Sequence, residues 1–173
     1  RYKAALKRFS EKHIKHPISS RAIHHLAAAV QGEGDLVEAR KIAIQGKNRF
    51  PNSIGGKRCH NLIVQIESPS VRITTERVWN APLPTIDVTY KNLTKVYFRV
   101  VEYDWEQRLK TRGARRPEYL DQNERRALIG KKPVMEWSAD LPTTEDYHEA
   151  QQKIPAKDGL EPGSYFLLSS HQK

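Results

Sequence analysis

Cysteine and long apolar runs are what this chain lacks. Cys59 is the sole cysteine, so no intramolecular disulfide can form and the redox compartment is left open; its apolar neighbours mark it as a small buried hydrophobe. No stretch of about 18 apolar residues is present to cross a membrane, and the first residues do not have the form of a signal peptide. The chain opens on Arg1 rather than methionine, so its start reads as cut, and the whole reads as a soluble excised segment. With 173 residues, 38% of them hydrophobic, one packed domain or two small ones are expected rather than a disordered chain.

Acidic residues are scarce in one part only. The net charge of +10 and pI near 9.8 suggest an anionic partner, but residues 1–68 hold 13 Lys and Arg against 5 Asp and Glu, whereas residues 69–173 hold 17 against 15. Any anion-binding face therefore belongs to the first segment.

That segment has helical periodicity. A first helix is expected from about Tyr2 to Ile14, ending before Pro17. Ser20 can cap a second, with Ile23, Leu26, Ala27 and Val30 on one face and Gly32-Glu33-Gly34 at its end. Asp35 and Glu38 form a pair like a capping box for a third, lined by Leu36, Ala39, Ala43, Gly46 and Phe50. Ser53 opens a fourth, striped by Cys59, Leu62, Ile63 and Ile66. A shift of 34 places Pro17 on Pro51, Ser19 on Ser53 and Ala5 on Ala39, the period of tetratricopeptide helix pairs. "GDLVEARKIAIQGKNRFPNS" resembles the second helix of such a repeat. Solenoids need about three repeats, and the chain has at most one and a half, so this end also reads as cut.

After Ser68-Pro69-Ser70 the period becomes two. Strands are expected at Val71 to Trp79, Ile86 to Lys91, Val96 to about Trp105, Val134 to Trp137 and Ser164 to Ser170. Asn92-Leu93-Thr94 reads as the turn of a hairpin joining the second and third. Between Trp105 and Lys132, the Arg116-Pro117-Glu118 start with Tyr119, Leu120, Leu128 and Ile129 predicts a helical insertion. Sandwiches of this kind have about seven strands, so five leave this one short by one or two. The fold class is α+β in two segments: helical hairpins over 1–68, then an antiparallel β-sandwich with a helical insertion over 69–173, lacking its last strand.

Chemistry-bearing residues are few and have simpler readings. Cys59-His60 are helix neighbours about 100° apart and make a poor nucleophile pair. His24-His25 and His13-x-x-His16 lack the cysteines or carboxylates of a metal site and read as packed or solvated side chains. Gly55-Gly56-Lys57-Arg58 lacks phosphate-loop spacing, and glycine packing against a neighbouring helix explains it better than a bare anion site. Arg108, Lys110, Arg112, Arg115 and Arg116 lie near Trp105 and Tyr119 but are interspersed with Glu102, Asp104, Glu106, Glu118, Asp121 and Glu124, the pattern of an ion-paired surface. Glu145-Asp146 falls in a loop where exposure is expected, Asn92-Leu93-Thr94 needs only its turn role, and Trp79, Trp105 and Trp137 read as core.

Together "RFPNSIGGKRCHNLI", "ITTERVWNAPLPTIDVTYKNLTKVYFRVVEYDW", "RPEYLDQNERRALIGKKPVMEWSADLP" and "GLEPGSYFLLSS" resemble the N-terminal part of the large bacterial alpha-2-macroglobulin-like proteins, particularly those of Bacteroidetes type, over roughly residues 35–170. The resemblance implies a helical region followed by macroglobulin domains, each a fibronectin type III-like sandwich, within a periplasmic or membrane-anchored endopeptidase inhibitor that traps proteases. It also implies that Asn92 to Val96 is a turn between paired strands and that Leu160 to Leu168 is the penultimate strand. Cys59 is followed by His60-Asn61-Leu62 and lacks the Glu-Gln partner of the family's thioester. No catalytic, cofactor-binding, metal or thioester residue carries over, and the chain is expected to be a non-enzymatic, cofactor-free scaffold or interaction piece. Its implied partners are neighbouring macroglobulin domains, proteases for the whole protein, and a second copy through an unpaired edge strand, with no nucleic acid. Two alternatives stand beside it: a helical-repeat module binding peptide or nucleic acid through Arg40, Lys41, Lys47, Lys57 and Arg58, and a carbohydrate-binding sandwich with Trp105 and Trp137 as platforms.

Overall fold

The computed structural model describes residues 1–112 and 120–172, which form α-helices and β-strands in two compact units. One unit is Arg1–Pro69 with Thr144–Ala150; the other is Ser70–Thr143 with the chain from Gln151 onward.

Four helices build the first unit: α1 (Tyr2–Lys12), α2 (Ile18–Gly32), α3 (Leu36–Arg49) and α4 (Ile54–Glu67). The apolar stripes converge on one core, with Ile23, Ala27 and Val30 from α2, Ala39 and Ala43 from α3, and Cys59, Leu62, Ile63 and Ile66 from α4. Short turns make consecutive helices antiparallel, and α2 packs against all three others. Small residues permit the close approach. A Cβ on Gly46 would stand 2.5 Å from Cys59 Sγ and 2.8 Å from Ile23 Cγ2, and one on Gly55 would collide with the Ser20–Arg21 backbone.

The caps follow local chemistry with one correction. Ser53 Oγ accepts from Gly56 N at 3.0 Å, and Asp35 accepts from Glu38 N at 2.9 Å, although the Glu38 carboxylate pairs with Lys41. Ser20 is not a cap. α2 already begins at Ile18, because Pro17, with φ −54°, presets the first turn, and Ile18 N donates to His16 Nδ1 at 3.1 Å. Ser19 and Ser20 are instead fully buried inside the helix.

Residues 144–150 join the helices. The Tyr147 ring packs on the helical core, with φ +64° turning it inward, and the Arg40 guanidinium lies 5.7 Å from its centroid. His148 Nε2 is 2.8 Å from Gly34 O. Glu145 and Asp146 are exposed, as expected of a loop.

The second unit holds β1 (Ser70–Thr74), β2 (Thr85–Lys91), β3 (Lys95–Glu102), β4 (Met135–Asp140), β5 (Ala150–Pro155) and β6 (Tyr165–Ser170), with α5 (Trp105–Arg112) and α6 (Gln122–Gly130) between β3 and β4. The strands form two sheets, ordered β1-β2-β5 and β4-β3-β6. The expected β2–β3 hairpin is therefore absent. Asn92, at φ +55°, reverses the chain, but β2 pairs with β1 and β3 with β4 and β6, so the turn carries the chain from one sheet to the other. Both strands alternate, and their buried sets, Ile86, Val88 and Tyr90 on β2 and Val96, Phe98 and Val100 on β3, are almost wholly excluded from water. Alternation specifies a wet face and a dry face; it does not choose between pairing and facing.

Other boundaries moved. β1 ends at Thr74 rather than Trp79, and Trp79 sits in an irregular stretch where its Nε1 donates to Glu76 O at 3.0 Å. β3 stops at Glu102, because Asp104 Oδ1 accepts from Gln107 N at 2.8 Å and opens α5 at Trp105. The start expected for the inserted helix, Arg116-Pro117-Glu118, and Tyr119 lie outside the described residues. α6 begins at Gln122, where Asp121 and Glu124 form a complete capping box. β5 is a sixth strand without an apolar pattern: only Ile154 is buried.

Candidate functional site

The open side of β6 is where this fold offers a binding edge. β6 ends its sheet, hydrogen-bonded to β3 with Leu167 opposite Val100 and Phe166 opposite Val101. Cross-strand partners share a face, so Leu167 and Ser169 look with Val100 and Phe98 toward the interior, and Phe166 and Leu168 look with Val101 and Arg99 to the other side. The second face is covered too. Val101, Leu120 and Leu128 form a small core with Tyr103, Phe166 and Leu168 packed against it. This double covering explains why "YFLLSS" does not alternate.

Coverage is incomplete at the edge. Val100 and Phe98 are 1% exposed, but Leu167 and Ser169 across from them are only half-buried. β1, the edge strand of the other sheet with half-buried Val71 and Ile73, approaches β6 without joining its ladder. Among the described residues neither β6 nor β1 has a strand paired on its outer side, so the two edges frame a seam with apolar walls that is suited to accept an extended chain.

A buried ion pair fixes one wall. The Arg108 side chain is 6% exposed and donates to Glu124 Oε1 at 2.6 Å and to the Tyr103 hydroxyl at 2.9 Å. The hydrogen bond that Arg108 donates to Glu124 holds the guanidinium above its ordinary range against the opposing effect of burial. Glu124 Oε2 also accepts from Asp121 N, so one carboxylate caps α6 and anchors it to α5. Tyr103 and Trp105 pack edge-on against each other, and both contact Phe166 of β6.

The remaining candidates are dispersed. Cys59 is buried, burial pushes its thiol up to about 11, and His60 beside it is exposed, so the pair does not act together. The His13 ring packs at a tilt on Phe9 at 4.5 Å, His16 accepts from the first amide of α2, and the His24 and His25 rings meet edge-on at 5.3 Å. Burial, with His25 and Arg58 nearby, lowers the pKa of His24. Gly55 and Gly56 are packing contacts, against the Ser20–Arg21 backbone and Phe50 O respectively, and the Gly56 amide is already bound by Ser53. In the expected basic run, Arg108 is buried and paired and Lys110 faces Glu106 at 3.8 Å, whereas Arg115 and Arg116 lie outside the described residues, as does the Arg112 side chain. Trp137 stacks on Phe98 at 4.8 Å and Trp105 meets Phe166 at a tilt at 5.3 Å, both half-buried, so neither ring is a free platform. Among the described residues no cluster of three or more His, Cys, Asp or Glu could hold a metal, and no helix is long and apolar enough to cross a membrane.

The β6 edge was visible in the sequence as an apolar final strand; its buried anchor Arg108 was not, because an arginine among six acids reads as surface. Comparison with protein-family models, with curated proteins and with solved structures returned no match.

Proposed function

We propose that the chain is a non-catalytic structural and interaction piece of an alpha-2-macroglobulin-like endopeptidase inhibitor of the bacterial envelope: tetratricopeptide-like hairpins followed by a macroglobulin-like sandwich that accepts one more strand. The seam between β6 and β1 carries the reading. In fibronectin type III-like sandwiches the second and third strands lie in opposite sheets, and a further strand flanks the equivalent of β6. The order β1-β2-β5 over β4-β3-β6 suits that connectivity, although the strands joined at Asn92, which the resemblance implied to be paired, lie in different sheets. On the helical side, the 34-residue shift and the packing of α2 on α1, α3 and α4 through small residues suit stacked helix pairs. The strand would come from a neighbouring macroglobulin domain, or from a second copy when the chain stands alone.

Light scattering over a concentration series tests this. Reversible self-association is expected, suppressed by Leu167→Lys, which sets a charge on the inner face of the edge strand. A monomer at every concentration, with β6 amides as protected from hydrogen exchange as those of β3, would show the seam already closed and end the proposal. The chain alone is expected to turn over no substrate; hydrolysis abolished by one Ser, His or Cys substitution contradicts the non-catalytic part.

A further inference from the structure

The helical unit separates its charges by end. Antiparallel packing gathers the C-terminal ends of α1 and α3 with the N-terminal ends of α2 and α4, and two contacts fix this. Arg49 Nη1 on α3 donates to Ser10 O of α1 at 3.3 Å, and Gly55 of α4 lies against Ser20 and Arg21 of α2. This end carries Lys12, Lys15, Arg21, Lys47, Lys57 and Arg58, with Glu11 as its one carboxylate. None of the six has an acidic partner among the described residues.

The acids sit at the far end. Glu33 and Asp35 lie in the α2–α3 turn, Glu38 in the first turn of α3 and Glu67 at the end of α4, and the docked segment 144–150 adds Glu145, Asp146 and Glu149 beside Gly34 and Arg40. Three cations at that end are paired, Lys3 with Glu33, Arg40 with Glu67 and Lys41 with Glu38. The five-residue basic face expected from sequence is therefore split, with Arg40 and Lys41 neutralised and Lys47, Lys57 and Arg58 left at the basic end.

Apolar side chains stand exposed among the unpaired cations. Ile14, in the α1–α2 turn, is 51% exposed, Ile54 at the start of α4 is 63% exposed, and Phe9 on the last turns of α1 is 43% exposed. We propose that this end docks on an anionic lipid surface, its lysines and arginines meeting the headgroup phosphates and Ile14 and Ile54 entering the interface between headgroup and acyl chain. Branched aliphatic tips between cations suit a lipid interface, where both the apolar and the charged layer are met at once. Ile14 and Ile54 do not stack on bases as the aromatic platforms of single-strand binders do, and Phe9, the one aromatic of the three, already packs against the His13 ring. The inference rests on the helical unit alone and stands or falls separately from the strand-accepting seam.

The test is sedimentation of the whole chain with vesicles of phosphatidylcholine alone or with about 30% phosphatidylglycerol, at low and at physiological salt. Binding to the anionic vesicles only, weakening with salt, is expected. Lys15→Glu with Lys57→Glu should lower it by about tenfold or more, while Arg126→Glu with Lys132→Glu, the same charge change in the other unit, leaves it in place. Ile14→Ser with Ile54→Ser, both surface positions whose variants can be checked for helix content by circular dichroism, should weaken it several-fold without changing its salt dependence. No binding to anionic vesicles at low salt overturns the proposal. So does equal binding to duplex DNA or polyglutamate that ignores the isoleucine changes, which would make the end a general polyanion site.

Discussion

At Gly46 the missing side chain is what lets α3 reach Cys59 and Ile23, since a Cβ there would stand 2.5 Å from the sulfur. Gly46→Ala is therefore expected to destabilise the chain by about 1–3 kcal/mol, the usual range for an overfilled core. Cys59→Ala alone leaves a void, but the double variant should recover part of both losses, because the new methyl occupies space the sulfur gave up; chemical denaturation of the four proteins checks the sign of that coupling. Arg108 and Glu124 behave differently. Glu124→Ala removes the carboxylate facing a largely buried guanidinium together with its bond to Asp121 N, and should cost about 3–5 kcal/mol, whereas Arg108→Met with Glu124→Leu should cost less than Glu124→Ala alone. His24 adds a pH dependence. Its pKa is lowered from 6.5 on folding, so the unfolded chain binds the proton first; its contribution is complete above about pH 6.5 and is lost as pH falls through the lower folded value. His24→Gln should flatten that part of a stability profile measured by denaturation from neutral to mildly acidic pH.

At the scale of elements, local signals set the helices and tertiary contacts set the strands. The Ser53 cap, the Asp35 cap and the stripes of α2, α3 and α4 are written in residues three and four apart, and they stand where the spacing put them. β2 and β3 were equally plain as strands, yet their relation was not, because facing strands of two sheets and paired strands of one share the same alternation. β5 had no such signal, its exposed Gln151, Gln152 and Lys153 being drawn into a strand by the sheet order rather than by their own pattern. α5 was hidden by Trp105, which completes an aromatic run along β3 but belongs after the Asp104 cap. Asp104→Ala should cost about 1 kcal/mol through the lost cap, seen as a lower denaturation midpoint.

For the molecule as a whole, segment 144–150 is the feature that most changes the reading of the chain. Tyr147 leaves the strand-bearing sequence to cover the helical core, so Tyr147→Ala should weaken the helices far away in sequence, with faster hydrogen exchange in the α2–α3 turn around Gly34. The same segment brings three carboxylates to an end that is already acidic and leaves the opposite cations unpaired. The net charge of residues 1–68 was countable; its division into two ends needed the antiparallel packing of four helices.

The sequence by itself determined the α+β class, the positions of four helices and most strands, and which side of each is apolar, because these depend on neighbours within one turn or one pleat. Only the tertiary structure decided that β2 and β3 belong to different sheets, that Arg108 is buried on Glu124, and that 144–150 lies on the helices. Those outcomes turn on surfaces brought together from distant parts of the chain, where the hydrophobic effect rewards burial without naming the partner.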